Sequence, residues 1–316
     1  MTDTLREKFD NKTIRIGILM GGFSSEREIS LKSGNAVCKA LASLGYNAVP
    51  VDIKTPSAEG ADSSNIDVAF IAMHGKFGED GELQALLEAR GIPYAGSGPQ
   101  ASRNAMDKII TKKLFIQAKI STADYFVMPL KTPLEKAKAF VESFGMPVVV
   151  KPRSEGSSVG ITIVKDITEL ENALNICGQY QNEALVEKFI KGREVTVGIL
   201  EDRALPLIEL RPKREFYDYI AKYKDDKTEY IVNPDIAKEY QEEAKATALR
   251  AHRSLGCRHF SRVDVILREQ DNKSFVLEVN SIPGMTERSL LPKAAQAMGL
   301  DFPHLCERLT GMSLPI

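Results

Sequence analysis

The chain has little cysteine, and what it has is scattered. Cys38, Cys177, Cys257 and Cys306 lie far apart with no C-x-x-C pair, so neither a zinc site nor a disulfide framework is indicated. That usage suits a reducing compartment and points to a cytoplasmic protein. An excess of one charge is also lacking. Lys and Arg number 42 against 43 Asp and Glu, a net charge of −1, so no basic surplus argues for nucleic acid and no acidic tail is present. No apolar run approaches the roughly 20 residues of a membrane span, and the opening MTDTLREKFDNK is polar and mixed in charge, unlike a secretory signal. Short-period repeats and low-complexity tracts are absent as well. What is there is a chain of 316 residues, 43% hydrophobic and 27% charged. That is an ordinary soluble composition, long enough for two or three domains.

The most informative stretch is RVDVILREQDNKSFVLEVNSIPG, residues 262–284, which predicts a β-hairpin. Val263, Val265 and Leu267 alternate with Arg262, Asp264 and Ile266; after a polar turn, Phe275, Leu277 and Val279 alternate with Val276, Glu278 and Asn280. Pairing Asp264 with Glu278 sets Arg262 opposite Asn280 and Ile266 opposite Val276, with the remaining apolar residues sharing the other side. One face then carries two carboxylates, an amide and a guanidinium. Two close carboxylates repel unless a cation sits between them. The face therefore suits either a hard cation with phosphates completing its shell or an ordinary solvated surface.

Elsewhere the pattern is α/β. The apolar run 14–20 ends at Gly21-Gly22, Ser25 and Glu28 match a capping box, and a helix runs to Gly45. Strands at 49–53 and 68–73 follow, the second entering the glycine-rich loop HGKFGEDG from His74, at a carboxyl end where ligands gather in open α/β sheets. Gly96-Ser97-Gly98-Pro99-Gln100-Ala101 imitates a dinucleotide fingerprint. The acidic residue that NAD needs should follow the next strand, yet Asp124 precedes it. The NAD reading is rejected and the stretch taken as a domain connection. A helix over 101–118 carries Lys108, Lys112 and Lys113. The strand ending at Lys151-Pro152 opens into RSEGSSVG, a small-residue loop able to cradle phosphates but not a Walker A sequence. Short strands are expected at 184–190 and 194–200. Residues 211–234 show neither period, as a lid would, and a helix over 237–255 precedes the hairpin. A last helix takes in Ser289 and Leu290.

Six stretches in this order, GGFSSEREISLKSG, MHGKFGEDG, GIPYAGSG with AMDK, VVVKPRSEGSSVG, FYDYIAKY, and RVDV with LEVNSIPGMTERSL, resemble the D-alanine–D-alanine ligase family of the ATP-grasp superfamily. The resemblance spans about residues 14 to 309. It implies an α/β, three-domain ATP-grasp fold. An N-terminal Rossmann-like (pre-ATP-grasp) substrate-binding domain (1–98) would be followed by two α+β ATP-grasp subdomains, one central (99–186) and one C-terminal with lid and metal site (187–316).

It also implies a reaction: ATP phosphorylates the carboxylate of one D-alanine, and the amine of a second displaces phosphate from the acyl phosphate, for peptidoglycan precursor synthesis. By resemblance, Lys108, Lys151 and Lys222 contact phosphates, with Ser157 and Ser158 on the Gly/Ser loop, while Glu187 and Glu194 lie around adenine and ribose. Asp264, Glu278 and Asn280 match ligands of two Mg²⁺ ions, which Mn²⁺ could replace. Arg262 matches the arginine that stabilises the acyl phosphate, with the Gly284 N–H as a further oxyanion donor. Glu26 matches the carboxylate that receives the first D-alanine's ammonium, with His74 nearby, and Ser157 and Tyr223 match its hydrogen-bonding partners. Ser289 and Leu290 match the contact for the second D-alanine's carboxylate. The expected partners are D-alanine and ATP, without nucleic acid or membrane, in a homodimer. Ligation onto D-lactate or D-serine, and a regulatory protein that has lost catalysis, are the competing readings. Ser281-Ile282 departs from the threonine common in the family and touches no matched functional position.

Overall fold

The computed structural model describes residues 4–57, 61, 66–211 and 228–314. The first third forms helix α1 (Leu5–Asp10), strand β1 (Arg15–Gly21), helix α2 (Arg27–Ser43), strands β2 (Asn47–Ile53) and β3 (Val68–Ile71), and helix α3 (Glu82–Ala89). Its sheet has the order β2-β1-β3 and is parallel throughout. β1 is the middle strand and is buried from Ile16 to Gly21, as the uninterrupted apolar run requires of a strand covered on both faces. The helix α2 packs on it through small residues: Ser30, Ser33, Gly34, Val37, Ala40 and Leu41 form its buried face. A Cβ on Gly34 would lie 2.6 Å from that of Met20, so only glycine lets the helix come this close.

Helices α4 (Pro99–Met106) and α5 (Lys108–Gln117) lead to strand β4 (Tyr125–Pro129), helix α6 (Leu134–Phe144), strands β5 (Val148–Pro152) and β6 (Thr162–Val164), helix α7 (Leu170–Gly178) and strand β7 (Glu183–Lys188). The helix expected over 101–118 is thus two helices. Asp107 breaks it and accepts the N–H groups of Ile109 and Ile110, an N-cap for the second. These strands form an antiparallel sheet, β4-β7-β5-β6, with its own core of Met128, Val141, Val148, Val150, Val164, Leu170 and Val186.

The remainder comprises strands β8 (Gly192–Leu200), β9 (Arg203–Arg211) and β10 (Glu229–Val232), helix α8 (Lys238–Ser254), strands β11 (Phe260–Arg268) and β12 (Ser274–Asn280), and helices α9 (Leu290–Gln296) and α10 (Phe302–Gly311). The five strands form one antiparallel sheet in the order β10-β9-β8-β11-β12. Part of the aperiodic stretch 211–234 is therefore a strand, since β10 pairs with β9. One face of the sheet packs on α8 and α5 through Val195, Val197, Val263, Val265, Val276, Ala244 and Phe115. Its opposite side shares a core with the N-terminal sheet. Ile16, Ile18, Val37, Leu41 and Phe70 pack with Leu205, Ile208, Phe260, Met285, Leu291 and Leu305. No helix among the described residues is long and apolar enough to cross a membrane.

The hairpin register differs from the sequence expectation in one place. Arg262 faces Asn280 and Asp264 faces Glu278, but a bulge follows Asp264, so Val265 pairs with Val276 and Ile266 with Phe275 instead of Val276. The bulge adds one residue, Leu277, on the β12 side and inverts the alternation beyond it. Val276 consequently joins Val279 in the core, while Phe275 and Leu277 are only partly buried. At the start of α2 the N-cap is Glu26, not Ser25, and no side chain caps the helix; the expected box with Glu28 does not form.

Candidate active site

Three loops meet around Glu26. The carboxylate is buried, and Ser157 of the Gly/Ser loop donates its hydroxyl proton to Oε1. Ser157 and Ser158 both hold left-handed backbone, with φ of 52° and 59°, an uncommon conformation for serine that curls the loop toward α2. Gly75 has φ of +75°, and a Cβ there would stand 2.6 Å from Glu26 Oε2, so the loop after β3 presses its backbone against the same carboxylate. Ser24 joins the two: its hydroxyl accepts from Glu26 N (3.2 Å) and donates to the carbonyl of His74 (3.1 Å). The His74 ring is buried, with Nε2 2.9 Å from Ser33 Oγ and Nδ1 3.5 Å from Glu79 Oε1. Ser33 Oγ in turn accepts the Met285 N–H at 3.3 Å. A continuous chain of polar contacts therefore runs from the Ser157 loop through Glu26, Ser24, His74 and Ser33 to the residue after Gly284.

The hairpin face is the second cluster. Asp264 is buried and its carboxylate takes donors on every side. Arg262 gives Nε at 2.9 Å and an Nη at 2.8 Å, Thr196 Oγ1 donates at 2.6 Å, and Asn280 Nδ2 at 3.3 Å. Glu278 lies directly across the ladder from Asp264. Like charges placed opposite each other are destabilising, and the Arg262 guanidinium offsets this. Two carboxylates and the amide oxygen of Asn280 form an all-oxygen donor set, which fits a hard divalent cation sharing its shell with phosphate oxygens. Among the described residues no group of three His, Cys, Asp or Glu side chains is arranged to hold a metal ion. Ser289 stands at the N-cap of α9 without a side-chain capping bond, and its hydroxyl turns back to take the Thr286 N–H at 3.1 Å. Ser289 Oγ lies 3.1 Å from where a Cβ on Gly284 would be. Leu290 is partly buried beside Tyr230.

The third cluster lies where β7 crosses toward the second sheet. Glu187 is buried between two lysines: Lys151 Nζ is 2.6 Å from Oε2 and Lys112 Nζ 2.8 Å from Oε1. Burial alone raises a carboxyl's pKa, but the charges of Lys151 and Lys112 outweigh it and hold Glu187 below its ordinary value. Lys112 also donates to Thr122 Oγ1 and to the Ala123 carbonyl, both at 2.8 Å. Burial pushes its ammonium down to about 8, against the pull of Glu187 and with the repulsion of Lys151. Oε1 of Glu187 is thus paired with the Lys112 ammonium and Oε2 with that of Lys151, which neutralises the carboxylate inside the fold. Lys108, at the first turn of α5, is buried and donates to the Glu155 carbonyl at 2.6 Å, under the Gly/Ser loop. Below it, Asp107 holds Arg153 at 2.6 Å.

A family model described as D-ala D-ala ligase C-terminus matches residues 114–311, and one described as D-ala D-ala ligase N-terminus matches 54–97. The chain belongs to the D-alanine–D-alanine ligase family. A D-alanine–D-alanine ligase of Geobacter sulfurreducens is 49% identical over 299 residues, covering 94% of this chain and 93% of the relative. That of Geotalea uraniireducens is 48% identical, covering 94% and 95%. The Bacillus anthracis D-alanine–D-alanine ligase crystallised with ATP superposes with a TM-score of 0.83 at 35% identity, over 95% of this chain and 97% of that one. The fold is accordingly the α/β ATP-grasp arrangement.

Of the residues that sequence singled out in this ligase-family chain, Glu26, His74 and Ser157 fall in one cluster, Arg262, Asp264, Glu278 and Asn280 in another, and Lys151 and Glu187 in a third. Lys108 and Ser158 border the Gly/Ser loop, and Glu194 stands on β8 opposite Ile266 of the hairpin. Lys222 and Tyr223 lie outside the described residues. Sequence reasoning missed Thr196 on Asp264, Lys112 on Glu187, and Ser24, Ser33 and Glu79 around His74. Lys112 was visible on its helix but had no partner in sequence. Ser33 sits on the buried side of α2, where it reads as a small packing residue, and Ser24 stands in the loop before that helix.

Proposed function

We propose that the chain joins two molecules of D-alanine into D-alanyl-D-alanine at the expense of ATP, as peptidoglycan precursor synthesis requires. The observation that carries this reading is the contact of Ser157 with Glu26, which brings a phosphate-type loop onto a buried carboxylate at a helix start. A carboxylate there suits an amino acid's ammonium, and the loop above it suits a γ-phosphate. The first D-alanine, held by Glu26, offers its carboxylate to the γ-phosphate. An acyl phosphate forms and ADP leaves. The amine of the second D-alanine then attacks the acyl carbon, its proton is lost, and inorganic phosphate departs.

Phosphoryl transfer is mostly positioning and charge neutralisation, and the side chains divide that work. Lys108, Lys151 and Lys222 offset phosphate charge, and Ser157 and Ser158 present the loop. Glu187, held between Lys151 and Lys112, serves the adenine side of the nucleotide, and Glu194 the ribose. Arg262 and the Gly284 N–H face the oxyanions, Ser289 and Leu290 receive the second D-alanine, and Tyr223 completes the hydrogen-bonding around Ser157 and Glu26. Asp264, Glu278 and Asn280 would hold two Mg²⁺ ions (Mn²⁺ as a substitute), which supply positive charge to the phosphates. Closing the Ser157 loop on Glu26 keeps water from the acyl phosphate. The division into residues 1–98, 99–186 and 187–316, a cytoplasmic location and a homodimer belong to the same proposal.

The test is phosphate release from ATP and Mg²⁺ with D-alanine, with L-alanine, and with D-alanine plus D-lactate or D-serine, products identified by mass. Release that depends on D-alanine and yields the dipeptide is expected. Release without D-alanine dependence would discard the substrate assignment, and an ester product would move the acceptor to a hydroxy acid.

A further inference from the structure

One buried hydroxyl outside the matched residues connects two parts of the site. Ser33 lies on the inner face of α2 and is almost completely buried. Its oxygen contacts His74 Nε2 at 2.9 Å and the Met285 backbone nitrogen at 3.3 Å. A backbone N–H can only donate, so the hydroxyl accepts from Met285. The oxygen keeps a second lone pair, but among the described residues His74 Nε2 is the partner left for its single proton, so the arrangement that leaves no buried group unpaired makes Nε2 the unprotonated, accepting nitrogen. The opposite nitrogen faces Glu79 Oε1 at 3.5 Å, long for a hydrogen bond. That oxygen can only accept from it in the ionised carboxylate. Both sides of the ring agree on one tautomer.

We infer that Ser33 is a positioning residue which fixes His74 as the neutral Nδ1–H tautomer and ties its loop to the Gly284–Met285 segment. An Nε2–H ring would aim its proton at Ser33 and leave the buried serine proton without an acceptor among the described residues. The benefit rests on the functional reading above. Ser24 bonds both the His74 carbonyl and the Glu26 N–H, and Gly75 packs on the Glu26 carboxylate. The first D-alanine would thus sit against the His74–Gly75 backbone, and a ring held in one orientation by Ser33 keeps that backbone in place. Ser33 touches neither substrate in this arrangement; it acts through the ring and through the loop.

The decisive measurement is the two-bond nitrogen–proton NMR spectrum of the imidazoles in ligand-free protein labelled with ¹⁵N-histidine. The chain has only four histidines, and the His74 signals are assigned by their loss in His74→Gln. At neutral pH the wild type should show a protonated Nδ1 and an unprotonated Nε2, the reverse of the tautomer favoured by free histidine. Ser33→Ala should lose that pattern, while Ser33→Thr, which keeps the hydroxyl, should retain it. An Nε2–H or doubly protonated His74 in the wild type overturns the inference, and this spectrum decides even if Ser33→Ala fails to fold. So does an unchanged tautomer in a folded Ser33→Ala. In kinetics, Ser33→Ala should raise KM for D-alanine about five- to tenfold, the size of one lost hydrogen bond, with KM for ATP unchanged. An equal rise in both would mark a merely structural role. The tautomer is read without turnover, so a failure of the ligase reading in the phosphate-release assay leaves a separate signature.

Discussion

Replacing Lys112 with methionine separates the electrostatics of the Glu187 cluster from its packing. Two ammonium groups and one carboxylate share this buried site, a local charge of +1 that Asp124 offsets only from a distance. Removing one member of a balanced buried pair strands a charge and costs about 3–5 kcal/mol. Removing Lys112 does the opposite, since it leaves Glu187 paired one-to-one with Lys151. Burial brings the Lys112 ammonium down from 10.5 to about 8, and each unit is worth about 1.36 kcal/mol. At neutral pH, with the lysine protonated in both states, its charge therefore lowers folding stability by roughly 3 kcal/mol. As pH rises from 8 to 10.5 the folded lysine has already lost its proton while the unfolded one still holds it, so stability climbs and the penalty disappears. Denaturant unfolding of both proteins at pH 7 and pH 10 isolates the effect of this cluster, because titrating groups that do not interact with Lys112 cancel in the difference. The wild type should gain roughly 2–3 kcal/mol on Lys112→Met between the two pH values. A difference that stays constant with pH would refute the reasoning. The variant should also bind ATP more weakly, since Glu187 loses the contact that orients it. A lysine kept at that cost in stability would have its justification in the nucleotide.

Three further outcomes follow from the geometry. Arg262→Ala and Glu278→Gln should each lower turnover at least about 100-fold while circular dichroism stays native; normal activity in either variant would remove the hairpin from the site. Gly75→Ala should raise KM for D-alanine and cost about 1–2 kcal/mol of stability, because φ of +75° is strained for alanine and its Cβ would crowd Glu26 at 2.6 Å; an unchanged KM would separate that loop from the substrate. His252 is buried against Ser261 Oγ at 2.7 Å, and desolvation pushes its pKa down to about 4 despite the pull of Asp202. The unfolded chain then takes up a proton near pH 6.5 that the folded chain refuses, so stability falls as pH drops. Relative to His252→Gln, the wild type should lose roughly 2 kcal/mol between pH 7 and 5, and parallel pH curves would sink the assignment.

Much of this was legible in the sequence for identifiable reasons. β1 announced itself by an apolar run ending in glycine, and the hairpin by its period of two. Asp264 and Glu278 fell opposite each other as the pattern required. The bulge after Asp264 was not legible, because a one-residue slip costs little in composition and both Val276 and Leu277 are acceptable core residues. The short helix α1 and the strand β10 were missed for want of length. α1 has six residues with one buried side chain, Phe9, and β10 has four whose partner β9 decides its conformation. The break at Asp107 lies inside a helical period, and its cause is a cap visible only once the backbone turns. The polar network around His74 was out of reach for a different reason. Ser33 and Met285 are far apart in the chain, and no pattern in either segment refers to the other.

That distance bears on how the molecule is made. The core that buries Ile16, Ile18 and Phe70 is completed by Leu291, Leu305 and Leu309, nearly the whole chain later. At about 5–20 residues per second of synthesis, the N-terminal sheet would wait on the ribosome for roughly 15 to 60 s before its last partners emerge. Meanwhile the four-stranded sheet, whose core is drawn only from residues 128–186, can form as soon as it clears the exit tunnel. The first segment translated is thus among the last to be sealed. It spends the interval with an apolar face exposed to whatever chaperone, or second nascent chain, reaches it first.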